Sequence, residues 1–486
     1  MRTRMRTYVS AAAVAAAVTA GLSLPASAAA AAPTGGDFNG DGYADLAVGV
    51  PDGTVDGKAK AGYVTIVYGG PKGIGAYGSI RVSQATAEVP GSPEAGDRFG
   101  ASVALLPIGT GGKALLLVGT PGEDITGLGT DVGMVEAVSG TKTGTSSGSV
   151  VLDGTTDSAQ YGLAVTAADV TGDGNKEIVI GGKDKVVARV AQGEDSMVAT
   201  VVTAPMGGRA PILATGDFTG DGRADLAVAY RSTTPSTQSH VRIWAWDPAE
   251  QAFANTWNTD NTGVSALAAG DFDGDGHDDL ALGECREYAD ENIDDPCGPE
   301  ALAKGGGIHI HYGAAAGGSF GYRQQTLNQD TAGVAGVAED ADHFGAALAV
   351  GDVDHDGRDD LIAGAPGEAI GSRAGAGAAT VLYGSAAGLL DAKGTARSAG
   401  LQQDTAHVPG VAESGDAFGA ALATGDYDHD GRVDLAVGSP GENAGSGGVW
   451  FLPRAGAAGS TAFTPAKLHL PSPTSALAFG RYLGGR

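Results

Sequence analysis

A nine-residue acidic loop returns six times in this chain and each time runs straight into a short apolar stretch. The copies are "DFNGDGYAD" (37–45), "DVTGDGNKE" (169–177), "DFTGDGRAD" (217–225), "DFDGDGHDD" (271–279), "DVDHDGRDD" (352–360) and "DYDHDGRVD" (426–434). They are followed by "LAVG", "IVIG", "LAVA", "LALG", "LIAG" and "LAVG". Runs this short are too brief for helices and suit buried β-strands. A unit that recurs along a whole chain decides its architecture, because one unit cannot bury its apolar face alone. Longer copies confirm the period. "DTAGVAGVAEDADHFGAALAVGDVDHDGRDDLIAGAPGE" from Asp330 aligns without a gap to "DTAHVPGVAESGDAFGAALATGDYDHDGRVDLAVGSPGE" from Asp404, and "ATAEVPGSPEAGDRFGASVAL" from Ala85 repeats the first half.

A seventh unit keeps the framing but not the acids. Residues 99–123, "FGASVALLPIGTGGKALLLVGTPGE", carry "PIGTGGKA" at 107–114, where the carboxylates would stand. Seven repeats and six metal loops are therefore expected, at about 65 residues per repeat. Most repeats open on an "FG" or "YG" strand, at Phe99, Tyr161, Phe344 and Phe418, whereas the first begins almost directly at its loop. The missing strand is present at the other end, in "ALAFGRYL" around Phe479 and Gly480. A ring whose last segment completes its first unit has no exposed edge, so closure by the C-terminal strand is predicted.

Numbered from its first aspartate, each loop offers side-chain oxygens at positions 1, 3, 5 and 9 and a backbone carbonyl at position 7. The first set is Asp37, Asn39, Asp41 and Asp45 with Tyr43 at position 7; the second is Asp169, Thr171, Asp173 and Glu177 with Asn175. The third is Asp217, Thr219, Asp221 and Asp225 with Arg223, and the fourth Asp271, Asp273, Asp275 and Asp279 with His277. The fifth is Asp352, Asp354, Asp356 and Asp360 with Arg358, and the sixth Asp426, Asp428, Asp430 and Asp434 with Arg432. With water, such a set supplies the six or so oxygens that Ca²⁺ prefers, while Mg²⁺ wants a smaller octahedral shell. An EF-hand would need a Glu at position 12, where this chain has Val48, Ile180, Val228, Leu282, Ala363 and Val437. The plain alternative is that Asp-Gly turns simply join strands. Six copies in one register favour the metal, and the second loop, with Thr171 and Glu177, is the weakest of them. The ions are expected to be structural, tying strands within each unit, since loops on separate units do not assemble one catalytic centre.

The stretches "FGAALA…GDVDHDGRDDLIAGAPGE" and "FGAALA…GDYDHDGRVDLAVGSPGE" resemble the FG-GAP repeats of the integrin α-subunit propeller and of bacterial proteins that share it. The FG opening, the Asp loop and a "GAP"-like end (Gly364-Ala365-Pro366; Gly438-Ser439-Pro440) recur in that order. The resemblance implies an all-β, seven-bladed β-propeller over residues 29–486, with calcium in the loops. It does not extend to an inserted adhesion domain, a transmembrane helix or a cytoplasmic tail.

Arg2, Arg4 and Arg6, the run "YVSAAAVAAAVTAGLSL" and Ala26-Ser27-Ala28 read as a secretory signal peptide over residues 1–28. A membrane anchor fits less well, because no stop-transfer pattern follows. A secreted, extracellular protein is expected. The net charge of −27 argues against nucleic acid and anionic membrane as partners. Cys285 and Cys297 are the two cysteines, and in an exported chain they are expected to form a disulfide around an acidic loop.

Sequence signatures of catalysis are missing: there is no zinc His-Glu-x-x-His, no Gly-x-Ser-x-Gly and no phosphate loop. His309 and His311 alternate on one strand and read as packed or solvent-facing, and His355 and His429 sit between ligands at loop position 4. Trp244, Trp246 and Trp257 suit either sugar stacking or blade packing. The Tyr288 loop is either a recognition surface or a tolerated insertion. The expectation is a monomeric binding module for an extracellular polysaccharide or protein ligand. The rivals are a propeller-based polysaccharide lyase or hydrolase and a structural envelope component.

Overall fold

In a computed structural model, residues 36–109, 112–192, 195–234, 238–260, 263–284, 305–314, 318–470 and 476–484 are described. Residues 1–28, Cys285, Tyr288 and Cys297 lie outside them, and with them the expected signal peptide and disulfide. The apolar runs after the acidic loops are strands, and four of them, Leu46–Val50, Asp279–Glu284, Asp360–Ala365 and Asp434–Ser439, are buried at every residue. Each is the second strand of a four-stranded antiparallel sheet, so both its faces are covered by neighbouring sheets.

Seven such sheets form the blades of an all-β propeller. Blade 2 holds Ser102–Pro107, Ala114–Thr120, Met134–Thr141 and Gly144–Asp153; blade 3 holds Ala164–Ala168, Glu177–Gly181, Lys185–Gln192 and Asp195–Thr203. Blade 4 runs from Ile212–Gly216 to Ala252–Asp260, blade 5 from Val264–Gly270 to Gln324–Leu327, blade 6 from Ala347–Gly351 to Ser398–Leu401, and blade 7 from Ala421–Gly425 to Thr461–Phe463. Blade 1 has Leu46–Val50, Tyr63–Val67 and Ser79–Val82, and its innermost strand is Tyr482–Gly484. That last strand pairs Gly484 with Ala47, Leu483 with Val48 and Tyr482 with Gly49. The innermost strands touch in cyclic order, with Tyr482–Gly484 lying between those of blades 7 and 2.

The FG residues are not themselves strand. Phe344, Phe418 and Phe479 are fully buried and sit just ahead of the innermost strand, making isolated bridges to Gly306, Gly377 and Gly447 of the preceding blade. The expected opening strand therefore starts two or three residues later than the motif, at Tyr482 in the last case. FG and GAP meet across blades. A Cβ on Gly364 would lie 2.0 Å from the Gly419 carbonyl oxygen, and one on Gly438 would lie 1.9 Å from that of Gly480. Only glycine permits that approach, so the two halves of the signature form the joint between blades.

The core is divided among the seams. Phe272, Ile308, Ile310 and Leu327 of blade 5 pack with Leu361, Ala363, Leu382 and Leu389 of blade 6. Phe451 and Phe463 of blade 7 pack with Val48, Val67 and Ile74 of blade 1.

Candidate metal centres

Each acidic loop joins the innermost strand of its blade to the second, and backbone N–H groups define its shape. The carboxylate at position 1 closes the turn: Asp37 accepts from Gly40 at 2.6 Å, Asp41 at 3.1 Å and Gly42 at 2.7 Å. Asp271 accepts from Gly274, Asp275 and Gly276 at 2.7, 3.0 and 2.9 Å. Asp169 repeats this pattern; Asp217, Asp352 and Asp426 accept at least from positions 5 and 6. At position 5, Asp41, Asp173, Asp221, Asp275, Asp356 and Asp430 each accept the N–H of position 7, which belongs to Tyr43, Asn175, Arg223, His277, Arg358 and Arg432. The turn needs positive φ at positions 4 and 6. Position 6 is always glycine, but in two loops position 4 is histidine, His355 at φ 61° and His429 at φ 58°.

Position 9 does a different job. Asp45, Glu177, Asp225, Asp279, Asp360 and Asp434 are at most 2% exposed. Asp360 takes the Val353 N–H at 2.9 Å within its loop and the Gly384 N–H at 2.8 Å beyond the third strand. Asp45 bridges Phe38 and Gly69 in the same way, and Asp279 bridges Phe272 and Gly313. Burial, with help from the neighbouring carboxylates, pushes the carboxyls of Asp45, Glu177, Asp225, Asp360 and Asp434 up to about 7 and that of Asp279 to about 8.

Three loops bring carboxylates together. Oxygens of Asp271, Asp273 and Asp279 lie within 4.8 Å of one another, as do those of Asp352, Asp354 and Asp356 and those of Asp426, Asp428 and Asp434. In the first three loops position 3 is Asn39, Thr171 or Thr219, so no third carboxylate joins a comparable group among the described residues. There Asp41 accepts from the Asn39 amide at 3.0 Å, while Asp221 is turned onto Arg223, which holds its carboxyl below the usual range. The donor sets fit a hard cation. The Asn39 Oδ1, Thr171 Oγ1 and Asp354 Oδ1 oxygens, all at position 3, are buried with no hydrogen-bond partner among the described residues, an arrangement that costs free energy unless something else supplies positive charge.

Arginines outside the loops also face them, which the sequence did not disclose. Arg323, one residue before the outer strand of blade 5, pairs with Asp273; Arg397, at the same place in blade 6, pairs with Asp354; Arg454 reaches Asp430, its Nε at 3.0 Å. Arg323 and Arg397 lie over the rings of Tyr312 and Tyr383, at 3.8 and 4.3 Å from the centroids. The loops also couple neighbouring blades. The Asp217 N–H donates to Asp278 Oδ2 at 2.8 Å, the Asp359 N–H to the Asp271 carbonyl at 3.0 Å, and the Ala114 N–H of the acid-free loop to the Asp37 carbonyl at 2.8 Å. The loops thus act between blades as well as within them.

Of the histidines and tryptophans singled out in the sequence, His309, His311, Trp244, Trp246 and Trp257 make packing or hydrogen-bond contacts within the blades. His309 bonds Thr326 at 3.0 Å, and His311, whose proton affinity burial lowers to about 4, packs edge-on against Trp257. Trp246 is 7% exposed in the core shared by blades 3 and 4, with Trp244 beside it.

Seven four-stranded blades joined by FG and GAP glycines, with acid loops on the inner hairpins, define a propeller of repeated units. The FG-GAP repeat model matches residues 29–67, 344–382 and 418–452, and the FG-GAP-like repeat model matches residues 217–282. FG-GAP repeats are therefore present in the chain, and its seven blades are consistent with an integrin-α-like propeller. The chain is 33% identical over 142 residues to the phosphatidylinositol-glycan-specific phospholipase D of Bos taurus, a match over 29% of this chain and 17% of that protein. Among solved structures it is similar to an Agrocybe aegerita lectin described as recognising non-reducing terminal N-acetylglucosamine, at 15% identity and TM-score 0.36 over 74% of this chain and 80% of that one. A mutant of AofleA from Arthrobotrys oligospora matches at 10% identity and TM-score 0.37 over 75% and 86%. Likeness at that level carries no argument about ligands. No helix among the described residues is long and apolar enough to cross a membrane.

Proposed function

We propose that this protein is a secreted, calcium-binding FG-GAP propeller that serves as an extracellular binding or adhesion module for a polysaccharide or protein ligand. The observation that carries the reading is the convergence of three carboxylates in each of the loops at 271–279, 352–360 and 426–434, together with the orphaned oxygens at position 3 of other loops. Positions 1, 3, 5 and 9 would hold the ion with the position-7 carbonyl, and the ion would supply the positive charge that such packed acids lack. Residues 1–28 act as the leader and residues 29–486 as the working propeller. The scaffold then presents its inter-blade loops, as rigid β frameworks do in recognition.

The test is metal content and retention on one sample. After loading and desalting, the protein should hold about six calcium ions, and it should be retained by some members of a panel of immobilised polysaccharides and extracellular proteins only while calcium is present. A folded protein that holds no calcium, or whose retention is indifferent to chelation, would refute the reading.

A further inference from the structure

Blade 2, whose loop lacks the acids, carries acids at the other end of its second strand instead. In its third strand, Met134–Thr141, Glu136 pairs with Val118 as Trp450 pairs with Val437 in blade 7. Trp450 lies under the connector from the preceding blade: its indole N–H donates to the Pro409 carbonyl at 2.7 Å, and a Cβ on Gly410 would lie 3.6 Å from the ring. A Cβ on Gly448 would meet both that ring, at 3.0 Å, and Glu442, at 3.5 Å. Repetition puts Pro90, Gly91 and Glu123 in the places of Pro409, Gly410 and Glu442. The Gln84 amide reaches Glu123 at 2.6 Å just as the Gln403 amide reaches Glu442 at 2.7 Å.

Where blade 7 has the indole, blade 2 has a cleft of about 600 Å³, and Pro90, Gly91 and Glu123 are in its wall. Four carboxylates line it: Glu94 and Asp124 are exposed, and Glu123 and Asp153 are half-buried. Glu136 stands behind them. It is fully buried on the strand face that Met134 shares, directly opposite Val150, and both of those residues line the cleft. Its Oε2 accepts from the Thr120 hydroxyl at 2.9 Å, whereas Oε1 has no hydrogen-bond partner among the described residues. The same is true of Oε1 of Gln84, which is 5% exposed. Burial pushes the Glu136 carboxyl well above its ordinary range, and the charges of Glu123 and Asp153 add to the effect.

No lysine, arginine or histidine lines the cleft. Apart from the hydroxyls of Ser92, Thr126 and Ser149, its polar side chains are acceptors alone, and acceptors in such number call for a cation. A bare metal ion fits poorly, because among the described residues only the three acidic loops bring three carboxylates within 4.8 Å of one another. A quaternary ammonium would want aromatic faces, and none lines the cleft. Pro90, Ile125, Met134 and Val150 instead give apolar wall beside the acids, which suits methylene chains. We infer that this seam of blades 1 and 2 is a binding site for a linear aliphatic polyamine, whose ammonium groups meet the separated carboxylates while its methylenes lie on the apolar wall. The inference goes beyond the binding-module reading and does not depend on it.

The experiment is isothermal titration calorimetry of the full chain in saturating calcium at fixed ionic strength, with spermidine as the probe. Spermidine should bind at one site, and butylamine, which has a single ammonium, should bind at least about tenfold more weakly. Glu123→Gln and Asp153→Asn should each weaken spermidine about tenfold. The double variant Met134→Gly, Glu136→Trp copies the blade 7 pair and should abolish binding by filling the cleft, and the two isosteric variants keep the test decisive if that pair unfolds the blade. Unchanged affinity in folded Glu123→Gln and Asp153→Asn, or many equivalent weak sites in place of one, would overturn the site and leave only a diffuse acidic surface. Equal affinity for butylamine would overturn the polyamine class and point to a single ammonium, as on a lysine side chain.

Discussion

His355 sits at loop position 4 with φ 61°, where four of the six loops have glycine. A side chain there is strained, so His355→Gly should raise the stability of the calcium-loaded protein by up to about 1 kcal/mol, read from urea midpoints; a loss of stability would mean that the imidazole has a partner of its own. Asp360 is the opposite case. It is fully buried and joins two segments through the Val353 and Gly384 N–H groups. Asp360→Ala leaves both donors without their acceptor and should cost about 3 kcal/mol or more, measured in the same way. At this scale the sequence disclosed which residues carry oxygens, because they keep one spacing. It did not disclose that position 9 is a bridge, because Gly384 is reached only after a complete hairpin has formed.

A loop with its hairpin is the unit on which pH acts. The six position-9 carboxyls have folded values of about 7 to 8, against ordinary values near 4. An acid raised on folding binds more protons in the folded than in the unfolded chain between those limits, so its stabilising share is full below about 4 and is lost as pH rises through about 7. In chelator the melting temperature should therefore fall from pH 5 to pH 8, and saturating calcium should flatten that fall because the cation takes over the proton's role. A chelated melting temperature that stays level or rises over this range would contradict the picture. The second strands were legible as unbroken apolar runs. Arg323, Arg397 and Arg454 were not, since nothing near them in sequence marks the loops they face.

For the whole molecule, the pairing of Tyr482–Gly484 with Leu46–Val50 makes the first blade depend on the end of the chain. Ending the chain at Phe479 leaves one edge of Leu46–Val50 unpaired, and such edges recruit other chains. The truncated protein should melt well below the full chain and form oligomers on size-exclusion chromatography; an equally stable monomer would show that the pairing is dispensable. The number of repeats and the closing segment were legible because repetition survives loop variation. The same closure bears on how the protein comes into being. Ala47 and the Gly484 it pairs with are 484 − 47 = 437 residues apart, so the ring is an open arc until the closing strand has been made, and closure is a contact between distant segments. Steps of that kind are slow and leave sticky strands waiting, which makes the interval before Tyr482–Gly484 docks the most vulnerable moment in this protein's life.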